Sequence, residues 1–225
     1  GGGSGGGLSA GEEAEGAEQP KKRPRVNALA LLMGAARARP LVGWEVAEER
    51  ISEELEAHLA TWVLRERFFA DESKKVRNFG LAWRQGGGHD LTAPFRPIPS
   101  ELKGLWAAIL PTLPSAIASM GEPNQVALKR YHLDGACHYA PHRSGDVLGY
   151  HCDCQFNDVR YVVGVSLLSD SSLVFRNTQK QVHKRIILQR ATYSMVGEAL
   201  TDWTHALFDI RRPGRLSVTY RLVCS

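Results

Sequence analysis

The sequence predicts an α+β fold in which N-terminal helices flank a β-sandwich or barrel. Residues 45–69 repeat apolar side chains at three- and four-residue steps, which is typical of an amphipathic helix. After Asn124 the pattern changes to short β-rich runs separated by turns. Helices first and many short strands afterwards favour a strand core with helices on its outside. The 225 residues, 43% of them hydrophobic and 23% charged, suit one globular domain.

The N-terminal 26 residues are set apart by their composition. Residues 1–19 are mostly Gly, Ser, Ala and Glu, and residues 20–26 form the basic run PKKRPRV. We expect residues 1–26 to be a disordered tail or linker and residues 27–225 to form one domain. The basic run resembles a short nuclear import signal, but we favour the alternative that it is a solvated basic patch at the domain edge.

Two helices are expected before the strand-rich region. The first covers residues 45–69. The second begins near Ser100, whose hydroxyl group suits an N-cap position, and it ends near Leu110 because Pro111 follows.

The predicted strands combine β-branched and aromatic residues and are bounded by turn residues. One strand, residues 76–83, lies between the two helices. The others follow Asn124 and are Val126–Tyr131, Tyr161–Leu168, Ser172–Phe175, Val182–Leu188, Ala191–Val196 and Leu216–Val223.

Composition also constrains the location of the chain. Four cysteines are too few for a disulfide-stapled secreted fold, so we expect an intracellular protein of the nucleus or cytoplasm. No window holds about 18 uninterrupted apolar residues, so no membrane partner is expected.

The positive charge is unevenly distributed along the chain. Residues 1–112 contain 15 basic and 15 acidic side chains, whereas residues 113–225 contain 13 basic and nine acidic ones. The net charge of +4 therefore comes from the second half, and 20 of the 28 basic residues are arginines. Arginine suits bidentate contacts with carboxylates and phosphates, which is consistent with an anionic partner, and a genomic preference for arginine codons accounts for this composition at least as well.

Two His-x-Asp triplets are candidate metal ligands, His132–Asp134 and His151–Asp153. Residues i and i+2 of a strand point to the same face, so either triplet can offer an imidazole and a carboxylate to one metal ion. The second triplet is favoured because a nearly continuous core strand, residues 161–167, follows it closely. His205 is the candidate third ligand, which would complete the two-histidine, one-carboxylate set that holds non-haem Fe(II).

The last predicted strand carries an unusual polar face. Alternation places Arg215, Ser217, Thr219 and Arg221 on one side and apolar residues on the other. If the polar side is exposed, this is an ordinary surface strand. If it faces a barrel interior, two buried guanidinium groups need anionic partners, and a dicarboxylate cosubstrate would be one.

These motifs resemble the AlkB family of Fe(II)/2-oxoglutarate dioxygenases, with the pattern H-x-D…H followed by R-x-[NS]-x-[TS]-x-R. The similarity covers residues 75–223. Within this range, three further segments resemble the family pattern, namely Arg77–Gly80, Pro97–Pro99 and Asn124–Tyr131. It implies a double-stranded β-helix (jelly-roll) core. It also implies iron ligation by His151, Asp153 and His205 and binding of 2-oxoglutarate by Lys129, Tyr131, Arg215, Ser217 and Arg221.

The resemblance further implies oxidation of a substrate by O2 with 2-oxoglutarate as cosubstrate. The expected reaction is oxidative demethylation or hydroxylation of alkylated bases in RNA or DNA, with a protein hydroxylase or demethylase acting on peptides as the alternative. The candidate substrate contacts are Phe79, Trp83, Arg211 and Arg212.

This chain also departs from the family pattern. Lys129 stands where the family usually has Asn, and residues 134–143 resemble an insertion. A different hypothesis is a zinc-stabilised binding module without catalysis. Its candidate ligands would be Cys137, His138, His142, Cys152 and Cys154.

Overall fold

The computed structural model describes most of the chain after residue 40. The described ranges are 41–69, 76–83, 89–90, 96–131, 146–153, 159–208 and 215–224. Several sequence-based expectations fall outside these ranges: the tail 1–26 with its basic run, the triplet 132–134, the insertion 134–143, and Arg211 with Arg212.

Strands dominate the described residues. The strands are β1 (Trp44–Arg50), β2 (Val76–Gly80), β3 (Ala82–Trp83), β4 (His89–Asp90), β5 (Gln125–Arg130), β6 (Asp146–His151), β7 (Val159–Leu167), β8 (Ser171–Asn177), β9 (Val182–Ile187), β10 (Ala191–Val196), β11 (Trp203–Phe208) and β12 (Leu216–Val223). The helices are α1 (Glu53–Arg65), α2 (Ser100–Ile109), α3 (Ser115–Ala118) and α4 (Glu198–Thr201), with a 3-10 turn at Leu110–Thr112. Within the described ranges, none of these helices has the length and apolar character that crossing a membrane requires.

The strands form a jelly roll. The larger antiparallel sheet has the order β1-β10-β7-β12-β5-β2, and the smaller has the order β6-β11-β8-β9. The consecutive strands β5 to β12 are thus divided between two sheets, with β5, β7, β10 and β12 in one and β6, β8, β9 and β11 in the other. This is the double-stranded β-helix that the sequence motifs predict, and the predicted fold class is confirmed.

Two apolar cores lie on the two faces of the larger sheet. One packs Leu216, Val218 and Tyr220 of β12 with apolar residues of α1 and α2. The Tyr220 hydroxyl also donates a hydrogen bond to the carbonyl of Leu102 in α2, at 2.7 Å. The other core lies between the two sheets and contains residues from both, including Phe175 of β8. The larger sheet is therefore covered on both faces.

The N-terminal part differs from the sequence-based expectation. The prediction of a helix over residues 45–69 was wrong for the first residues of that range, because Trp44–Arg50 is a strand that pairs with β10 at the edge of the larger sheet. Helix α1 begins only after Ser52, whose hydroxyl accepts a hydrogen bond from the Leu55 amide at 3.2 Å. Ser100 is the first residue of α2 rather than its cap, because Pro99 occupies the N-cap position.

Candidate metal centre

The three predicted metal ligands lie together at one edge of the sandwich. His151 ends β6 and is the cross-strand partner of His205 in β11, and Asp153 follows two residues after His151. One ligand atom of each residue lies within 4.8 Å of the others. The Asp153 Oδ1 atom is 3.9 Å from His151 Nε2, and Asp153 Oδ2 is 3.7 Å from His205 Nε2. The grouping predicted from the two motifs is confirmed.

The environment keeps these three groups in the protonation states that a metal ion needs. Burial lowers the pKa of His205 to about 3, and it also lowers the pKa of His151. Burial opposes ionisation of Asp153, but the Arg221 guanidinium holds the pKa of Asp153 well below its usual value. The His151 Nδ1 atom lies 2.9 Å from the Gly149 carbonyl, so it donates its proton there and leaves Nε2 free.

Arg221 is a fixed part of this cluster. Its side chain is 4% exposed, and its Nη2 donates to Asp153 Oδ1 at 2.8 Å. Its Nη1 donates to Gln125 Oε1 at 2.9 Å. The sequence predicted that Arg221 would face the site, and it contacts the carboxylate ligand directly. The contact with Gln125 was not predicted.

Arg215 lies just before β12 and is 1% exposed. Its Nε donates to Ser166 Oγ at 3.1 Å, and its guanidinium lies 4.8 Å from the centre of the Tyr131 ring. The Nη1 atom is buried and has no hydrogen-bond partner among the described residues. Ser217 and Thr219 are also buried, so the polar side of the last strand faces the interior rather than solvent.

Tyr193 is a site residue that the sequence analysis missed. It lies in β10 opposite Gly164 of β7, and a Cβ on Gly164 would lie 2.1 Å from the Tyr193 ring. Burial raises the pKa of Tyr193 to about 12, and its phenol lies near enough to Arg215, Tyr131 and Asp153 to interact with them electrostatically. The phenol therefore stays protonated and can donate a hydrogen bond. No sequence motif marks Tyr193 as a site residue, because its place in the site depends on the pairing of β7 with β10.

A cavity of about 480 Å³ opens beside the ligands His151 and Asp153. Val76 and Asn78 of β2 and Ala127 and Lys129 of β5 line one side, and residues 148–153 line the other. Lys129 therefore reaches the same space as the metal cluster and is a cation at its wall.

The predicted substrate contacts are placed differently. Phe79 is 3% exposed and packs edge-on against Phe68 in the helix-side core, at 5.6 Å between ring centres. Because residues alternate along β2, Phe79 points away from the cavity that Val76 and Asn78 line, so this placement does not support a substrate contact. Trp83 lies in β3, and its side chain is outside the described part of the structure, as are Arg211 and Arg212.

An aromatic group beside His151 was not predicted. The guanidinium of the exposed Arg176 lies 4.1 Å from the centre of the Tyr150 ring, and the Phe208 ring approaches Tyr150 edge-on at 5.9 Å. Tyr150 directly precedes His151 in β6, and no sequence motif marked it.

The zinc hypothesis rests mainly on residues outside the described ranges, namely Cys137, His138, His142 and Cys154. Cys152 is described, and its thiol donates to the Leu200 carbonyl at 2.7 Å. Among the described residues, the only group that can hold a metal ion is His151, Asp153 and His205.

No protein-family model and no curated protein matches the sequence. Among solved structures, OsALKBH1 superposes with a TM-score of 0.54 and 14% sequence identity, over 82% of this chain and 99% of that one. A Pseudomonas putida prolyl-4-hydroxylase superposes with a TM-score of 0.49 and 14% identity, over 81% and 93% of the two chains. This chain therefore shares its fold with OsALKBH1, in agreement with the AlkB-family resemblance of its motifs.

Proposed function

We propose that this chain is an Fe(II)- and 2-oxoglutarate-dependent dioxygenase that oxidises alkylated bases in RNA or DNA. One observation carries the proposal: a two-histidine, one-carboxylate cluster is accompanied by the buried guanidinium group of Arg215, whose Nη1 atom has no hydrogen-bond partner among the described residues. The cluster supplies a metal site, and Arg215 supplies the place for an anion.

The donor set fits iron. Two neutral imidazoles and one ionised carboxylate converge on one point, which matches the facial triad of non-haem Fe(II) sites. Such a triad leaves coordination positions open for other ligands. A structural zinc site would instead be closed by four protein ligands.

The cations fit a dicarboxylate. Burying a guanidinium group with an unused donor is costly, and a carboxylate would satisfy Arg215 Nη1. Tyr193 adds a protonated hydroxyl near Arg215, and the buried Ser217 lies between Arg215 and Arg221 in the sequence of the last strand. Lys129, the cross-strand partner of Ser217, lies at the cavity wall for the second carboxylate. Arg215 and Lys129 together match the two charges of 2-oxoglutarate.

When bound, Fe(II) and 2-oxoglutarate supply oxidation of a substrate C–H bond by O2, with release of succinate and CO2. The protein residues position these groups. Arg215 binds and orients the far carboxylate, and the Tyr131 ring keeps the guanidinium in place. Arg221 keeps Asp153 ionised. The apolar residues between the two sheets exclude water from this interior.

Three features support a nucleic-acid substrate. The excess positive charge belongs to residues 113–225, the half of the chain that carries the site. The exposed Arg176 is stacked on Tyr150, the residue that directly precedes the metal ligand His151 in β6, and such pairs suit stacking with bases and contact with phosphates. The motif resemblance to the AlkB family and the fold shared with OsALKBH1 point the same way.

Anaerobic titration with Fe(II) and 2-oxoglutarate tests the cofactor part of the proposal. We expect a weak visible charge-transfer band that appears only when both are present, and that the His151→Ala, Asp153→Ala double variant lacks. Tyr220→Phe is the matched control, because it loses a buried hydrogen bond on the helix side only. Absence of the band in the wild type, or an equal band in the double variant, rejects the proposal.

Formaldehyde release from methylated substrates tests the substrate part. The panel contains single-stranded DNA and RNA oligonucleotides with N-methylated bases, and N-methylated peptides of matched length. Turnover of an oligonucleotide that requires 2-oxoglutarate supports the proposal. If only the peptides are turned over, the substrate is a peptide rather than a nucleic acid, and the dioxygenase part of the proposal stands.

A further inference from the structure

A chain of hydrogen bonds connects β2 to the carboxylate ligand of the candidate metal centre. Gln125 Nε2 donates to Asn78 Oδ1 at 3.3 Å, and Gln125 Oε1 accepts from Arg221 Nη1 at 2.9 Å. Arg221 Nη2 in turn donates to Asp153 Oδ1 at 2.8 Å. Gln125 is the cross-strand partner of Arg221, whereas Asn78 is paired with Ala127, so its contact with Gln125 is diagonal across β2 and β5.

The orientation of the Gln125 amide follows from its partners. A guanidinium group can only donate, so the amide oxygen must face Arg221 and the amide nitrogen must face Asn78. Gln125 is 1% exposed, so water cannot replace either contact. The Arg221 guanidinium thus has two fixed contacts, one to a carboxylate and one to a neutral amide.

Those two contacts fix the position of the Asp153 carboxylate. Arg221 engages Oδ1, which lies 3.9 Å from His151 Nε2, whereas Oδ2 lies 3.7 Å from His205 Nε2. Each carboxylate oxygen therefore faces one histidine, and Arg221 holds the carboxylate in this orientation through Oδ1. Arg221 Nε is buried and has no hydrogen-bond partner among the described residues, so the two Nη contacts alone orient the guanidinium through hydrogen bonds.

We propose that Gln125 is a positioning residue for the metal centre, which fixes Arg221 and thereby holds the Asp153 carboxylate between the two histidines. The inference rests on the proposed function, because it assumes that a divalent metal ion binds this cluster. Gln125 does not itself touch the metal, and its effect passes through Arg221. Asn78 supports the amide of Gln125 from the cavity wall.

The experiment compares Mn²⁺ binding to the metal-free full chain, followed by the loss of the free-ion electron paramagnetic resonance signal. Gln125→Met keeps the length of the side chain and removes the acceptor oxygen. We expect its Mn²⁺ dissociation constant to rise about tenfold. This is the lower end of the loss in metal affinity that follows when a hydrogen-bond partner of a metal ligand is removed. Asn78→Ala removes only the outer bond, so we expect a smaller rise, which provides a second variant if Gln125→Met does not fold.

Tyr220→Phe is the control for general destabilisation, and we expect it to bind Mn²⁺ like the wild type. A wild-type dissociation constant in both Gln125→Met and Asn78→Ala overturns the inference and leaves the proposed function standing. An equal rise in Tyr220→Phe also overturns it, because the effect would then reflect stability alone. Failure of the wild type itself to bind Mn²⁺ more tightly than the His151→Ala, Asp153→Ala variant overturns the proposed metal site and the inference with it.

Discussion

Replacing Gly164 with alanine tests the packing that holds Tyr193 in the candidate cosubstrate site. A Cβ at this position would lie 2.1 Å from Tyr193 Cζ and 2.4 Å from its hydroxyl oxygen. Carbon atoms in contact are about 3.5 Å apart, so the ring must shift by roughly 1.4 Å. The backbone of β7 cannot yield easily, because it is paired with β10 on one side and β12 on the other.

Two consequences are expected from Gly164→Ala. Overpacking should lower the free energy of unfolding by about 1–3 kcal/mol, measured by urea titration with circular dichroism. Moving the Tyr193 hydroxyl away from Arg215 should also weaken 2-oxoglutarate binding about tenfold or more, since hydrogen bonds to charged groups contribute about 1.5–3 kcal/mol. Isothermal titration of the metal-loaded protein with 2-oxoglutarate measures this second effect.

The chain offers a matched control and a test of cause. Gly104 lies in α2, where an added Cβ meets no atom within 4 Å, so Gly104→Ala should leave 2-oxoglutarate binding unchanged and should stabilise the helix by about 0.5–1 kcal/mol. In a Tyr193→Ala background, Gly164→Ala should have almost no further cost, because the obstructing ring is gone. An equal cost in both backgrounds would refute the role assigned to Tyr193.

Three further predictions concern other parts of the molecule. Arg215→Lys keeps the charge and loses the planar fork, so we expect at least about a tenfold weaker affinity for 2-oxoglutarate by isothermal titration; an unchanged affinity would remove Arg215 from the site. The metal-free protein should lose thermal stability as pH falls from about 6.5 toward 3, because burial depresses the pKa of His205 in the folded state and the unfolded chain takes up the proton first. In the His205→Gln variant, thermal stability should change less with pH over this range, and an equal change in the wild type and the variant would contradict the prediction. Glu56 accepts hydrogen bonds from the Leu168 amide and from Gln189, each at 2.7 Å. Glu56→Ala should therefore lower the free energy of unfolding by about 1.5–3 kcal/mol without changing the Fe(II)/2-oxoglutarate titration, and a change in that titration would show that helix α1 supports the site.

The sequence alone was enough to predict site residues where the informative pattern lies within a single segment. The last strand alternates Arg215, Ser217, Thr219 and Arg221 with apolar residues, and this period of two survives in the structure because both faces of β12 are buried. The His-x-Asp triplet was sufficient for the same reason, since its geometry depends only on neighbouring residues of one segment.

The sequence alone was not enough to predict secondary structure or site residues where these depend on pairing between distant strands. Residues 45–50 fit a helical spacing, and only pairing with β10 makes them a strand. Tyr193 and Gln125 belong to the site because of their partners Gly164 and Arg221, which lie 29 and 96 positions away. No pattern within a single segment contains that information.

The jelly roll explains why residues close in sequence can form opposite walls of one site. Strands β11 and β12 are consecutive in the chain and belong to different sheets, so His205 and Arg221 meet Asp153 from opposite sides of the sandwich. The polar site therefore lies between the sheets, and the apolar contacts with the helices lie on the other face of the larger sheet. This division allows changes at Tyr220 on the helix side to alter stability while the metal and dicarboxylate contacts between the sheets stay in place. If the two faces were coupled, the Tyr220→Phe control would shift the ligand titrations together with the unfolding transition, and the same comparison therefore measures how independent the site is of the surrounding core.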